Sequence, residues 1–382
     1  MTVPAARPGV PARGLELAAM LSRLHDRTVH HLSASECETM SMADLLGLAD
    51  AEDQARWAGL RLAYTDPLGA PWLRASIAAG YDGIGPENLV SFAGAQEGIY
   101  AVLHALLQPG DHAVVVVPSY QSVETLALGL ADVSGVALNA ADGWSLDIDA
   151  VAAAVRPNTR LVCISFPNNP TGALLPPERF AALVALCRCH GIWLLSDEVY
   201  RLTERDPARR LPAAADAYER GVSVGVLSKA YGLPGLRVGW VACRDAALIG
   251  HVARFRQYLS VCGAGPSEVL ANIALKAGEA ITRCNRDIAA ANLLALSGFL
   301  ARHPALFGWR EPDGGVVGYV RYAGAEGVEP FVARMAEAAG ILLLPASVFR
   351  SEVAALPADR FRIGFGRSSF TAGLAALEAA IR

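Results

Sequence analysis

The run Ala113-Val114-Val115-Val116-Val117 offers no polar residue to either side of a pleat, so a strand made from it has to be buried on both faces. Thr159 to Phe166, Ile192 to Ser196 and Val222 to Leu227 are further apolar runs of strand length. Helical spacing lies between them, most plainly from Pro177 to His190. Val90 to Phe92 leads through the small-residue turn Gly94-Ala95-Gln96 into a helix that reaches Leu107. Short buried strands alternating with helices predict an α/β fold, a mostly parallel sheet with helices on both faces. Such sheets bind ligands at the carboxyl ends of their strands. Those ends here carry Gly94, Tyr120, Asn168-Asn169, Asp197-Glu198 and Ser228-Lys229.

The rest of the chain reads differently. Residues 1–15 are rich in Pro and Ala and are expected to be poorly ordered. Leu15 to Leu24 has helical spacing, Leu32 to Cys37 reads as extended, and Ser41 reads as the N-cap of a helix through Leu46. Pro71 to Ala79 is expected to be helical. Residues 245–300 are helical in pattern, interrupted only around Gly263 to Pro266. A smaller α+β unit follows, with strands at Gly315 to Val320, Ile341 to Pro345 and Arg360 to Gly366 and helices at Val328 to Ala339 and Thr371 to Ile381. The expected division is an N-terminal segment over 1–50 that packs with the small domain, a large domain over 51–262, and linking helices with the small domain over 263–382.

Charge excludes some partners. With 33 Lys and Arg against 37 Asp and Glu the net charge is −4, which suits neither a nucleic-acid groove nor an anionic membrane surface. No run of about 18 apolar residues predicts a membrane span, and Met1 to Met20 lacks the compact apolar core of a signal peptide. Seven cysteines without a paired framework fit a reducing cytoplasm. Cys187-Arg188-Cys189-His190 lies on a helix with no second ligand pair, so it reads as core packing and no metal is expected.

One residue stands out by rarity. The chain has two lysines, Lys229 and Lys276, and arginine at every other Lys/Arg position. Arginine matches lysine as a surface cation but stays protonated. Only a lysine can lose its proton on desolvation and attack a carbonyl carbon. Lys276 reads as an exposed helix end with no special role. Lys229 sits in Leu227-Ser228-Lys229-Ala230-Tyr231-Gly232-Leu233-Pro234-Gly235-Leu236-Arg237, directly after an expected strand.

These motifs, in this order, resemble the pyridoxal-phosphate (PLP) enzymes of fold type I, in particular the class I/II aminotransferases. The resemblance covers about Tyr64 to Gly366. It rests on Tyr64-x-x-x-x-Gly69, Gly94-Ala95-Gln96, Pro118-x-Tyr120, Asn168-Asn169-Pro170-Thr171-Gly172, Asp197-Glu198-x-Tyr200, Ser228-Lys229 with Arg237, and Arg362. Each motif alone is weak; their shared order is specific.

The resemblance implies a role for each residue. Lys229 bonds the cofactor aldehyde and later carries the proton between Cα and the cofactor. Asp197 pairs with the pyridine nitrogen, although it also reads as a helix N-cap. Gly94, Ala95 and Gln96 offer a helix N-terminus to the phosphate, joined by Ser228 and Arg237. Tyr120 stacks on the ring, Tyr200 bonds its 3-oxygen, and Asn169 contacts that oxygen and the substrate carboxylate, which Arg362 clamps. Tyr64 reaches the phosphate of a neighbouring subunit, which implies a homodimer.

Three departures bear on the pocket. Val226 stands where the family usually has Ser or Thr. Leu32-Ser33-Ala34-Ser35-Glu36-Cys37-Glu38 replaces a Gly/Pro-rich closing stretch. Gly263-Ala264-Gly265 lacks a frequent threonine. The run Leu227 to Trp240 with the Ser-x-Ser segment is similar to the capreomycidine synthase subgroup, which cyclises a hydroxylated arginine. Glu36 and Glu38 then read either as acceptors for a cationic substrate side chain or as a solvated acidic turn. The expected function is amino exchange between an α-amino acid and a 2-oxo acid. The alternative keeps the cofactor for cyclisation, elimination–replacement or oxidation of an arginine-derived amino acid. A non-catalytic regulator on the same fold is disfavoured, because no basic recognition helix precedes Tyr64.

Overall fold

A computed structural model describes residues 14–24 and 28–381. The disorder expected for residues 1–15 therefore falls almost wholly outside the described residues, and the helix expected next is present as Glu16–Leu24. Strands β1 (Leu89–Phe92), β2 (His112–Val117), β3 (Asp132–Ala137), β4 (Thr159–Ser165), β5 (Trp193–Asp197), β6 (Gly221–Val226) and β7 (Gly239–Cys243) form one sheet in the order β1-β7-β6-β5-β4-β2-β3. Strands β2 to β6 pair in parallel, and β7 runs antiparallel to both of its neighbours, β6 and β1. All strands but β7 thus point the same way, and their carboxyl ends share one edge.

Two cores explain why the strands read as continuous apolar runs. Val114, Val116, Val162, Ile164 and Leu194 face one core, while Ala113, Val115, Val117, Leu161, Cys163 and Leu195 face the other. Each fully buried aliphatic side chain contributes roughly 1.5–3 kcal/mol over its exposed state. Neither face can be traded for solvent, which fixes the layering. Strand β3 was not expected, because Asp132-Val133-Ser134-Gly135 lies at the sheet edge and is only partly covered. Strand β7 was missed because it begins inside the Gly/Pro-rich run that follows Lys229.

The second sheet contains β8 (Phe307–Gly308), β9 (Val317–Tyr322), β10 (Leu344–Pro345) and β11 (Arg360–Gly364), all antiparallel in the order β10-β11-β9-β8. Helices Val328–Ala339 and Phe370–Ala380 pack against each other beside it. Its aromatic core of Phe307, Phe331 and Phe361 is continuous with one core of the large sheet. The strand expected over Ile341 to Pro345 shrinks to its last two residues. Ile341 instead bridges His30, and the Leu342 N–H donates to the His30 carbonyl at 2.9 Å. The buried run is real, but its partner is the N-terminal segment.

Two other expectations need correction. Leu32 to Cys37 is an irregular loop, because its polar groups bond to side chains and to the backbone of β11 (Gly364 N–H to Leu32 carbonyl, 2.7 Å). Lys276 has a structural role after all: its Nζ donates to Asp50 and Asp53, each at 2.8 Å, and Asp53 also accepts from Asn272 at 2.7 Å. That cluster ties helix Ala51–Ala58 to helix Gly265–Lys276.

Candidate active site

The shared edge of the large sheet gathers most of the residues picked out by sequence. Asp197 ends β5, Ser228 and Lys229 follow β6, Asn168 and Asn169 follow β4, Tyr120 follows β2, and Gly94 follows β1. Arg237 precedes β7, whose reversed direction brings its start to the same edge.

Gly94 adopts φ +93°, a left-handed conformation disfavoured for side-chain-bearing residues, and a Cβ there would overlap the Arg237 guanidinium. The helix Ala95–Leu106 that starts here has no side-chain cap. Its free N–H groups and dipole carry positive partial charge, and Arg237 adds a full positive charge, held by bonds to the Ala93 carbonyl (3.2 Å) and the Pro234 carbonyl (3.1 Å). Like charges placed together this way are stabilised by an anion. Gln96 lies in the first turn, its buried Oε1 without a partner, and Ser228 is buried nearby in sequence to Lys229.

Asp197 is buried, and burial pushes its carboxyl up to about 6; its Oδ1 accepts only a 3.2 Å bond from the Val199 N–H. Its neighbour Glu198 serves the scaffold, accepting from the Ala214 N–H and the Ser223 hydroxyl, both at 2.8 Å. Burial likewise drives the Lys229 amine down to about 8, with Glu36 and Asp197 opposing the shift and Arg362 adding to it. The amine donates to Ser35 Oγ at 2.8 Å and sits 5.8 Å from the centre of the Tyr200 ring.

The Tyr200 hydroxyl, expected at the cofactor's 3-oxygen, donates to the Ser35 carbonyl at 2.7 Å. Arg362 comes from β11 of the second sheet and is 1% exposed, so its charge is turned inward rather than to solvent. Its Nη1 donates to Asn169 Oδ1 at 3.0 Å and its Nη2 to the Ser33 carbonyl at 2.7 Å, while Nε has no partner. Asn168 has the structural half of the Asn-Asn pair. It bonds the Pro118 carbonyl at 3.0 Å and accepts from Thr171 Oγ1 at 2.7 Å, which leaves Asn169 to face Arg362. Tyr120 is partly covered, and burial raises its hydroxyl pKa, with Arg362 opposing the shift and Asp197 adding to it.

Two expectations fall elsewhere. Tyr64 is 90% exposed and lies outside this chain's own cluster. Val226 ends β6 opposite Gly239 and lines a cavity with Tyr231, Trp240, Leu275 and the polar Glu198 and Arg201. The Gly263 carbonyl does receive a threonine hydroxyl, but from Thr65, at 3.0 Å.

Sequence reasoning singled out the Ser-x-Ser loop without assigning its atoms. Ser33 and Ser35 touch Arg362, Lys229 and Tyr200, and Arg367, not singled out at all, pairs with Glu36. The Glu38 carboxylate accepts from the Ser368 N–H at 2.6 Å. The spacing Arg362-x-x-x-x-Arg367 was the available signal.

These residues fit pyridoxal phosphate. An uncapped helix start beside a guanidinium suits a phosphate, a buried carboxylate with no ion pair among the described residues and one 3.2 Å backbone hydrogen bond suits a pyridinium, and a desolvated amine suits an aldehyde.

A family model described as aminotransferase class I and II matches residues 27–373. The chain belongs to that family. Among curated relatives, it is 32% identical to capreomycidine synthase of Streptomyces vinaceus over 81% of this chain and 78% of that protein. It is 36% identical to the arginine–pyruvate transaminase AruH of Pseudomonas aeruginosa over half of each chain. A PLP-dependent aminotransferase from Streptococcus suis superposes with TM-score 0.90 and 27% identity, covering 98% of each chain. The PLP-dependent cyclase OrfR superposes with TM-score 0.87 and 28% identity, covering 96% of each. Fold type I is therefore the fold of this chain, and no described helix is long and apolar enough to cross a membrane.

Proposed function

We propose that this protein is a PLP-dependent aminotransferase that exchanges the amino group of an α-amino acid with a 2-oxo acid. The observation that carries this reading is the Lys229 amine, brought to about 8 by burial among Ser35, Tyr200 and Asp197. An amine so adjusted is available near neutral pH both to bond an aldehyde and to accept a proton. When bound, the cofactor supplies that aldehyde and a protonated ring that withdraws electrons from the substrate's Cα.

The chain's own residues do the rest. Asp197 would hold the ring's N–H, whose positive charge would offset the cost of burying the carboxylate. Tyr120 would cover the ring face, and Asn169, with Tyr200 if its hydroxyl exchanged the Ser35 carbonyl for it, would hold the ring oxygen. Gly94, Ala95, Gln96, Ser228 and Arg237 receive the phosphate. Arg362, with Asn169 beside it and its Nε free, receives the substrate's α-carboxylate. Lys229 would hold the cofactor's aldehyde, and its amine, once free, would take the proton from the substrate's Cα. Tyr64, exposed here, completes the phosphate site of a second subunit, so the working form is a homodimer. The cytoplasm suits its seven cysteines, none disulfide-bonded among the described residues. The division into segments at residues 50 and 262 stands as part of this proposal.

A second reading is favoured by the extent of the capreomycidine synthase match. In it Lys229 moves the same first proton, but the product is a cyclised arginine derivative. One experiment separates the two. Holoenzyme incubated with one amino acid and no 2-oxo acid should release one equivalent of 2-oxo acid per subunit and stop, and Lys229→Ala should release none. Continued turnover without an acceptor supports cyclisation, and a wild-type protein that takes up no PLP overturns both readings.

A further inference from the structure

The Ser33-to-Glu38 loop does more than cover the cluster. Ser35 Oγ accepts from Lys229, and one bond further the Ser35 N–H donates to Glu36 Oε2 at 3.0 Å. Glu36 Oε1 pairs with Arg367, whose side chain is the more exposed partner at 35% against 19%. Burial pushes the Glu36 carboxyl up, but Arg367 and Lys229 outweigh it and hold the group ionised below the usual range. Ser35 bonds both Glu36 and Lys229, so the carboxylate lies one residue from the Lys229 contact, and its charge acts on Lys229, Tyr200 and Arg362.

Arg367 is flanked by a second carboxylate. Glu38 lies two residues along the loop, accepts from the Ser368 N–H and is also drawn down by Arg367. The Arg367 backbone is anchored through its carbonyl to Asn292 Nδ2 at 2.8 Å, whereas its buried Nε has no partner. The geometry is an anchored backbone with a long cation near two acids, Glu36 beside the Ser35–Lys229 contact and Glu38 on the exposed Ser368 N–H. A substrate with its α-carboxylate on Arg362 and its Cα at Lys229 leaves its side chain to this loop and to Arg367.

We propose that Glu36 receives a cationic substrate side chain, guanidinium or ammonium, and that Arg367 is an exchangeable counter-ion which moves to Glu38 when that side chain arrives. This inference rests on the amino-acid reading above and adds the substrate class. The exchange keeps the loop's charge balanced in both states: Glu36 is never left buried and unpaired, a condition that would be strongly destabilising. An acidic side chain would require the opposite assignment, with Arg367 as receptor and Glu36 repelling it.

The test is binding rather than turnover, so it does not depend on the fate of the product. L-α-Methylarginine and L-α-methylcitrulline have nearly the same shape, differ in charge, and lack the Cα hydrogen that Lys229 would move. Calorimetry with the holoenzyme should show tighter binding of the cation. Glu36→Gln should cut the arginine-to-citrulline affinity ratio on the order of 10- to 100-fold, the scale of a lost bond to a charged group. Arg367→Gln should raise the ratio by removing the competitor, and Glu38→Gln should lower it less than Glu36→Gln does. Each variant's ratio is read on protein whose circular dichroism and PLP uptake match wild type, and should Glu36→Gln fail to fold, Arg367→Gln, which has to raise the ratio, decides. A wild-type ratio near one, a ratio insensitive to Glu36→Gln, or preferential binding of L-α-methylglutamate overturns the inference. None of those outcomes touches the Lys229 stoichiometry that tests the amino-transfer reading.

Discussion

Asp197 and Lys229 show how one environment adjusts two groups towards each other. Burial destabilises whichever form is charged, so the acid rises from its ordinary 3.8 to about 6 and the amine falls from 10.5 to about 8. Each shift lowers the stability of the protein stripped of PLP. For Asp197 the folded chain holds more protons than the unfolded chain between pH 3.8 and 6, so stability falls as pH rises through that window, and the full cost stands above it. At pH 7 that cost is up to about 3 kcal/mol. Asp197→Asn should therefore stabilise the stripped protein towards urea at pH 7 while removing nearly all activity from the loaded one. A stripped Asp197→Asn protein less stable than wild type would show that the carboxylate has partners strong enough to offset its burial. For Lys229 the window lies between pH 8 and 10.5, where the unfolded chain binds the extra proton and stability rises with pH.

At the scale of elements, β11 joins the two halves of the site, because Arg362 is its middle residue and Gly364 its last. Gly364 donates to the Leu32 carbonyl at 2.7 Å, and a Cβ on it would overlap the Ala34 carbonyl. Gly364→Ala has to push the loop away, taking Ser33 off Arg362 and Ser35 off Lys229. Overpacking of this kind costs about 1–3 kcal/mol, and misplacement by about 1 Å can cost about 100-fold in rate. The expected result is a fall of a few degrees in Tm with a loss in kcat/KM near 100-fold; full activity at a lowered Tm would detach the loop from catalysis. The same contacts show what the sequence could disclose. Strands β2, β4, β5 and β6 were legible because each is buried on both faces and each ends in or leads into a functional residue. Asp197, Lys229 and Arg362 were legible as types at the ends or centres of such strands. Edge strand β3 was not, because partial exposure leaves no apolar signature, nor was β7, which starts inside a turn-rich run. The loop's contacts were hidden for a different reason. Its carbonyls and hydroxyls bond residues 194 and 329 positions away, and no local pattern records such a partner.

For the molecule as a whole, five of the nine exposed large apolar residues among the described residues (Leu62, Tyr64, Tyr258, Leu259 and Val261) fall in two stretches. Leu62 and Tyr64 are 90% exposed, Tyr258 is 92% exposed and Val261 52%, and the Thr65–Gly263 hydrogen bond holds these two stretches together. Apolar side chains gathered beside a site, with one tyrosine outside it, fit an isologous interface across which that tyrosine serves the opposite subunit. A dimer can test this without a structure of the complex. Tyr64→Phe alone should weaken PLP binding by roughly 10-fold, one bond to a charged phosphate. Mixed dimers of Tyr64→Phe with Lys229→Ala then discriminate between the two arrangements. If Tyr64 acts across the interface, the Tyr64→Phe subunit keeps its own Lys229 and borrows Tyr64 from its partner, so one of the two sites in each mixed dimer is wild type. PLP titration should then show wild-type affinity at half the sites, with both lesions collected in the other half. If Tyr64 acts within its own chain, every site in the mixture carries one lesion, and no wild-type site appears at any mixing ratio.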